Sequence, residues 1–364
     1  MVLHRYVTAV AALALSAAPA QAAAPEAVLE PVGAKTAVSA HDGHVVWNEL
    51  DVPTGRWYLR HRFGGASARL PIAPRSAQFD VDVGPDRRGR AVAVYSRCAQ
   101  EPAVAAGLAL SPDWMTAGGC DIYQVDLATG KERRLRRVSS RRGSETTPSI
   151  WKRTIAFARR RPPRRTARIY LHRAGRARLV RVSGGTVPGC LRTCKPRPYG
   201  GPDALDLGSR SIAYLWRLVN GNVVGVGVGW ELRSVRFGSR RAALLASGYV
   251  GGACGFALPS SPHAAGRGVI YLERVGECLT TRTSFVSFEP RTGRWRSGET
   301  LGGFGYALGR DGGSYYWLRG AQPEPENAPA FDPCRTGPAA CVLVRSPEPA
   351  FGPPDRRTVA PPTL

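Results

Sequence analysis

Residues 84–96 read Gly84-Pro85-Asp86-Arg87-Arg88-Gly89-Arg90-Ala91-Val92-Ala93-Val94-Tyr95-Ser96, a turn followed by an unbroken apolar run that ends on an aromatic. A short run that is apolar at consecutive positions is the pattern of a strand covered on both faces. Downstream, Asp121-Ile122-Tyr123-Gln124-Val125-Asp126-Leu127 is more mixed, as expected of a strand further out in the same sheet, and Ala128-Thr129-Gly130-Lys131 supplies a turn. The unit recurs along the chain. Its apolar runs are Val45-Val46-Trp47, Ala91 to Tyr95, Ile155-Ala156-Phe157, Ile212-Ala213-Tyr214, Val269-Ile270-Tyr271 and Tyr315-Tyr316. Aligned on their aromatics Trp47, Tyr95, Phe157, Tyr214, Tyr271 and Tyr316, the copies are 48, 62, 57, 57 and 45 residues apart.

Composition agrees with a β fold. The chain has 364 residues and is 43% hydrophobic, enough to fill a core, while its 42 Gly and 30 Pro are more than long helices tolerate. The best helix-like stretch, Ala242-Ala243-Leu244-Leu245, is too short to stand alone. Lys+Arg is 51 against Asp+Glu 27, a net +24, and only Lys35, Lys131, Lys152 and Lys195 are lysines. So lopsided an arginine excess is also what GC-rich codon usage produces without a ligand, which weakens any argument from charge alone.

Residues 84–96 with 121–127 resemble the repeat of TolB-type propellers, whose blades run roughly S-P-D-G-x-x-I-A-Y and then D-I-Y-x-x-D. The second copy carries the match in detail and the others in their apolar cores. The resemblance implies an all-β, six-bladed β-propeller of four-stranded antiparallel blades, without the small α/β domain that precedes the propeller in TolB itself. The expected organisation is a signal peptide over 1–22, the propeller over 23–358 and a tail over 359–364.

In an up-and-down blade with strands A to D, the A–B and C–D turns lie on one face of the ring and the B–C and D–A connections on the other. The long insertions, at 99–119, 184–202, 248–255 and 321–340, all fall in B–C or D–A connections. So do the eight cysteines. Cys98 with Cys120, Cys190 with Cys194, Cys254 with Cys278 and Cys334 with Cys341 are then the expected disulfides. Zinc is the rival for Cys190-x3-Cys194, but no second Cys or His pair lies near it.

The N-terminus predicts export: Arg5, an apolar run from Val7 to Ala18 too short to span a bilayer, and a small-x-small site at Ala20-Gln21-Ala22. The expected product is a secreted or cell-envelope monomer that is not an integral membrane protein.

Residues 131–181 hold 17 Arg and 2 Lys against Glu132 and Glu145. Arg141 and Arg142 in a D–A connection, with Arg159, Arg160, Arg161, Arg164 and Arg165 at a B–C turn, are the candidate anion-binding residues, since guanidinium forks match phosphate and carboxylate. No aromatic interleaves with them as base stacking requires, so nucleic acid is not the expected partner. Metalloprotease, nucleophile-elbow, P-loop and C-x-x-C motifs are missing. Gly225-Val226-Gly227-Val228-Gly229 lacks dinucleotide-loop spacing, and His41 and His44 flank an Asp-Gly turn. Trp114 and Met115 are exposed candidates within the 99–119 insertion.

Two functions remain. The first is a binding or scaffold module, with no cofactor, for a protein or an anionic cell-envelope polymer. The alternative is a Ca²⁺-dependent, lactonase-like hydrolase with Asp80, Glu145 and Asp203 at the mouth of the central channel.

Overall fold

The computed structural model describes residues 26–34, 36–104, 112–113, 116–162, 166–173, 176–179, 197–219, 228–239, 242–250, 256–265, 268–277, 280–289, 291–299, 305–320, 341–348 and 351–354. Among them all regular structure is β, in six four-stranded antiparallel blades. Blade one is Val38–His41, His44–Asp51, Arg56–Phe63 and Ala66–Arg69, and blade two is Asp82–Pro85, Ala91–Arg97, Asp121–Asp126 and Glu132–Arg134. Blade three is Ser144–Trp151, Thr154–Arg160, Arg168–Arg173 and Arg176–Leu179. Blade four is Arg197–Leu207, Ser211–Val219, Val228–Arg236 and Ala243–Val250, so the helix-like Ala243-Leu244-Leu245 is strand. Blade five is Phe256–Ala265, Gly268–Glu277, Thr280–Glu289 and Arg294–Glu299, and among the described residues blades four and five pair edge to edge at Val250 and Phe256.

Blade six takes three strands from the C-terminal part, Gly305–Asp311, Ser314–Gly320 and Cys341–Pro347, and its outermost from the N-terminal part, Ala27–Val32. Ala27 faces Arg345 and Val32 faces Cys341. The ring is therefore closed by hydrogen bonds between the two ends of the chain. Glu26 pairs with Arg319 at 2.5 Å, and Glu30 reaches Arg60 and Arg62 of blade one at 3.0 and 3.3 Å.

Each second strand is apolar on both faces because it lies inside two blade interfaces at once. Six apolar clusters fill the six interfaces. Val45 and Trp47 meet Leu318 of blade six; Val46 and Leu59 meet Tyr95; Val92 and Val94 meet Phe157; Ala156 and Ile169 meet Tyr214; Ala213 and Leu215 meet Tyr271; Ile270 and Leu272 meet Trp317. One second-strand aromatic per blade thus faces the preceding blade. In blade six it is Trp317, not the expected Tyr316: Trp317 opposes Leu308 just as Trp47 opposes Val38 and Tyr214 opposes Leu205.

The six first strands form the innermost ring. Ser39, Asp82, Ser149, Asp206, His263 and Gly309 are equivalent there, each opposite the residue that precedes its blade's aromatic. In four successive junctions the side chain at this position accepts the N–H of the following residue in the next blade: Val83 to Ser39 Oγ at 2.8 Å, Ile150 to Asp82 Oδ2 at 2.9 Å, Leu207 to Ser149 Oγ at 2.8 Å and Ala264 to Asp206 Oδ2 at 2.5 Å. At the closing junction Gly309 has no side chain, and a Cβ there would lie 3.1 Å from Ala40 N. Bulges set this register in blades three, five and six, where Thr147, Ser261 and Ala307 take left-handed φ of 46°, 47° and 51° two residues before the equivalent position.

Candidate functional site

The turns fall as the meander requires: Asp42-Gly43, Lys152-Arg153 and Gly312-Gly313 are A–B turns on one face, and residues 52–55, 98–120, 135–143 and 161–167 are B–C or D–A connections on the other. The second face carries the described part of the 99–119 insertion, while 197–202 and 248–250 of two other expected insertions are strand. Cys98 and Cys120 are disulfide-bonded at the root of the 99–119 insertion. Cys341 is also disulfide-bonded, its expected partner Cys334 lying outside the described residues, as do Cys190, Cys194, Cys254 and Cys278. Trp114, Met115, Arg164, Arg165 and Gly225-Val226-Gly227 also lie outside them.

The best-defined piece of this face is the D–A connection 135–143. Leu135 N donates to Ile122 O at 2.8 Å, Val138 N to Leu135 O at 2.9 Å and Ser139 N to Leu135 O at 3.0 Å, so the segment turns back on itself. Val138 is buried between blades two and three. Beneath it lies an ion pair of two buried side chains, Arg159 Nε to Glu145 Oε1 at 2.6 Å. Its other ends hold the loop: Glu145 Oε2 accepts Ser140 N–H at 3.1 Å, and Arg159 donates to Val138 O at 2.5 Å. Arg159 also lies 5.0 Å from the ring centres of Phe157 and Tyr170. Burial pushes the Glu145 carboxyl up to about 7 against the pull of Arg159.

The candidate arginines therefore divide. Arg159 is only 7% exposed and serves as a clamp, which takes it out of the ligand-facing set. Arg160 donates to the Ala117 carbonyl at the foot of the stapled insertion. Arg141, Arg142 and Arg161 are exposed, and so are Arg136 and Arg137, which the candidate set from sequence lacks. A signal was present: two Arg pairs flank Val138-Ser139-Ser140, an apolar anchor within a polar connection. Ser144 opposes Arg160, so the end of this loop lies beside Arg161. Among the described residues none of these five exposed guanidinium groups pairs with a carboxylate.

The three candidate channel carboxylates are each engaged separately. Asp80 accepts Ser96 N–H and Oγ–H, both at 2.7 Å, and Thr147 N–H at 2.6 Å; Glu145 is held as above; Asp203 accepts the Trp230 indole N–H at 3.3 Å. Among the described residues no group of three or more His, Cys, Asp or Glu side chains is disposed to hold a metal ion.

Among the described residues the innermost ring instead brings together Asp82, Asp206 and His263, with His263 Nδ1 3.5 Å from Asp206 Oδ2. Burial raises Asp82 to about 7, reinforced by Asp206, and raises Asp206 to about 7; burial lowers His263 to about 4. His41 and His44 hold a turn, whose Asp42 and Gly43 N–H groups donate to Asp311 of blade six at 2.8 and 2.6 Å. His44 Nδ1 lies 2.8 Å from His61 Nε2.

The fold and this face define a class: a six-bladed β-propeller that borrows its last strand from its N-terminal part and carries the disulfide-rooted 98–120 connection and the 135–143 loop on one side. No family model matches the chain, and neither does any curated protein. It is similar to several solved structures. They include TolB from Acinetobacter baumannii (12% identity over 70% of this chain and 51% of that one, TM-score 0.38). A prolyl endopeptidase is 11% identical over 79% of this chain and 45% of its own, TM-score 0.37. An ulvan lyase of polysaccharide lyase family PL25 is 9% identical over 80% of each chain, TM-score 0.43. The chain thus spans about half the length of TolB. Among the described residues no helix is long and apolar enough to cross a membrane.

Proposed function

We propose that the protein is an exported binding module that engages its ligand, a protein or an anionic polymer of the cell envelope, with the insertion-bearing face of the ring. The observation that carries this reading is the gathering of the stapled 98–120 insertion and the exposed arginines of 135–143 on one side of a closed scaffold. Loops positioned by a rigid frame are where binding residues concentrate. Export is supported by Arg5, the Val7 to Ala18 run, the Ala20-Gln21-Ala22 site and a disulfide of the kind that persists in oxidising compartments.

The test is retention of the purified protein on envelope from the producing cell at low and high salt. Retention that falls with salt supports an anionic polymer, and salt-insensitive retention supports a protein partner. No retention under either condition contradicts the reading.

A further inference from the structure

We infer that residues 135–143 with Arg161 form a binding site for a linear polyanion, a flexible chain along which phosphate or carboxylate groups repeat. The inference rests on the insertion-bearing face being the working face, and gives that face a specific site and ligand chemistry.

Three observations carry it. First, the charge is dense and uncompensated: four exposed arginines occupy the seven positions 136–142, Arg161 lies beside the end of the loop, and among the described residues no carboxylate pairs with them. Glu145, the nearest acid in sequence, points inward to Arg159 and Ser140.

Second, the loop is ordered before any ligand arrives. Val138 is buried, Ser139 Oγ accepts Ile122 N–H at 3.2 Å, and the Glu145–Arg159 pair fixes Val138 and Ser140 from below. Four guanidinium groups are thus presented as two pairs on either side of an anchored Val138-Ser139-Ser140. Ordering that is already done need not be supplied on binding.

Third, the pattern selects for a polymer. One guanidinium fork takes one oxyanion, whereas separated forks engage successive anions of one chain at high effective concentration. The segment Leu135-Arg136-Arg137-Val138-Ser139-Ser140-Arg141-Arg142-Gly143 contains no aromatic, so recognition rests on charge rather than on stacking against rings.

The test uses the full folded chain and two probes, long-chain polyphosphate and polyglutamate, with orthophosphate and free glutamate as monomeric counterparts. Arg136, Arg137, Arg141 and Arg142 are changed together to Gln. The charge-matched control changes Arg87, Arg88, Arg153 and Arg210 to Gln, all exposed in A–B turns on the opposite face. Thermal melts verify that both variants fold, and Arg161→Gln serves as a milder third variant.

The expected result is salt-sensitive binding of at least one polymer by the wild type. The loop variant binds roughly tenfold more weakly or worse, while the control changes by about twofold or less. Which polymer binds assigns phosphate or carboxylate. Equal losses in the two quadruple variants, binding of the monomers as tight as that of the polymers, or no polymer binding would each overturn the site. Envelope retention that survives in the loop variant would leave the broader reading of the face standing while this one falls.

Discussion

Ile150 N donates to Asp82 Oδ2 at 2.9 Å across the boundary between blades two and three. The same carboxylate takes Ser149 Oγ–H at 2.7 Å and, from the other side, Ser39 Oγ–H at 2.9 Å. One side chain therefore ties three consecutive blades together at the inner ring. Asp82→Ala leaves those donors without an acceptor and should destabilise the protein by about 3 kcal/mol. Asp82→Asn keeps an acceptor oxygen and should lose much less at neutral pH. Denaturant midpoints at unchanged m-value would show the difference.

The pH dependence follows from the same group. A carboxyl whose pKa is raised on folding binds its proton more tightly in the folded state, so its contribution to stability is complete below the unfolded value near about 4 and fades as pH rises through the folded value. Asp82 and Asp206 both stand at about 7. Burial lowers His61 and His263 to about 4, and these act in the opposite sense, being destabilising as pH falls below about 6.5. The informative quantity is thus a difference between proteins. Relative to the Asp82→Asn, Asp206→Asn double variant, the wild type should lose about 2 kcal/mol per carboxyl between pH 5 and pH 8. A difference that stays flat across that range would contradict the assignment.

Glycine is required where inner strands pass closest. A Cβ at Gly84 would lie 2.3 Å from Ile150 O, a backbone atom that cannot swing aside. Gly84→Ala should therefore destabilise by about 3 kcal/mol. Gly313, in the A–B turn of blade six, has open space within 4 Å of where a methyl group would sit and no left-handed φ. Gly313→Ala should stay within about 0.5 kcal/mol of the wild type by thermal or denaturant unfolding.

The staple and the clamp can be tested separately. Cys98→Ser with Cys120→Ser removes a link across 22 residues and should lower stability by about 3 kcal/mol, with faster proteolysis inside 99–119. Arg159→Ala leaves Glu145 buried without its partner and should destabilise by about 3–5 kcal/mol. Faster amide exchange at Val138 and Ser139 would mark the loop it holds, and an unchanged exchange pattern there would contradict the clamp.

The blades were legible in the sequence because a strand buried on two faces cannot hide its apolar run: Val92, Ala93 and Val94 admit few other readings. Tyr315-Tyr316-Trp317 was legible as a strand but not in register, since three successive aromatics offer no alternation and only the pairing with Leu308 decides. Ring closure was not legible because Ala27–Val32 has no sheet neighbour nearby in sequence; its partners are more than 300 residues away. Asp82, Asp206 and His263 resembled any polar residues on a strand, and only the closed ring makes them equivalent. Among the arginines, composition could not separate the buried Arg159 from the exposed Arg161 two positions later, because burial there depends on Glu145 lying under the loop.

If the face that bears 98–120 and 135–143 meets the ligand, masking one face of the ring at a time will separate the two sides. A polyethylene glycol chain is attached through an azide-bearing residue at position 141 on that face, or at position 88 in an A–B turn on the opposite face, and retention on envelope is measured for each. The chain at 141 should abolish retention, while the chain at 88 should leave it near the unmodified level. Loss only from position 88, or equal retention from both, would contradict this placement of the ligand.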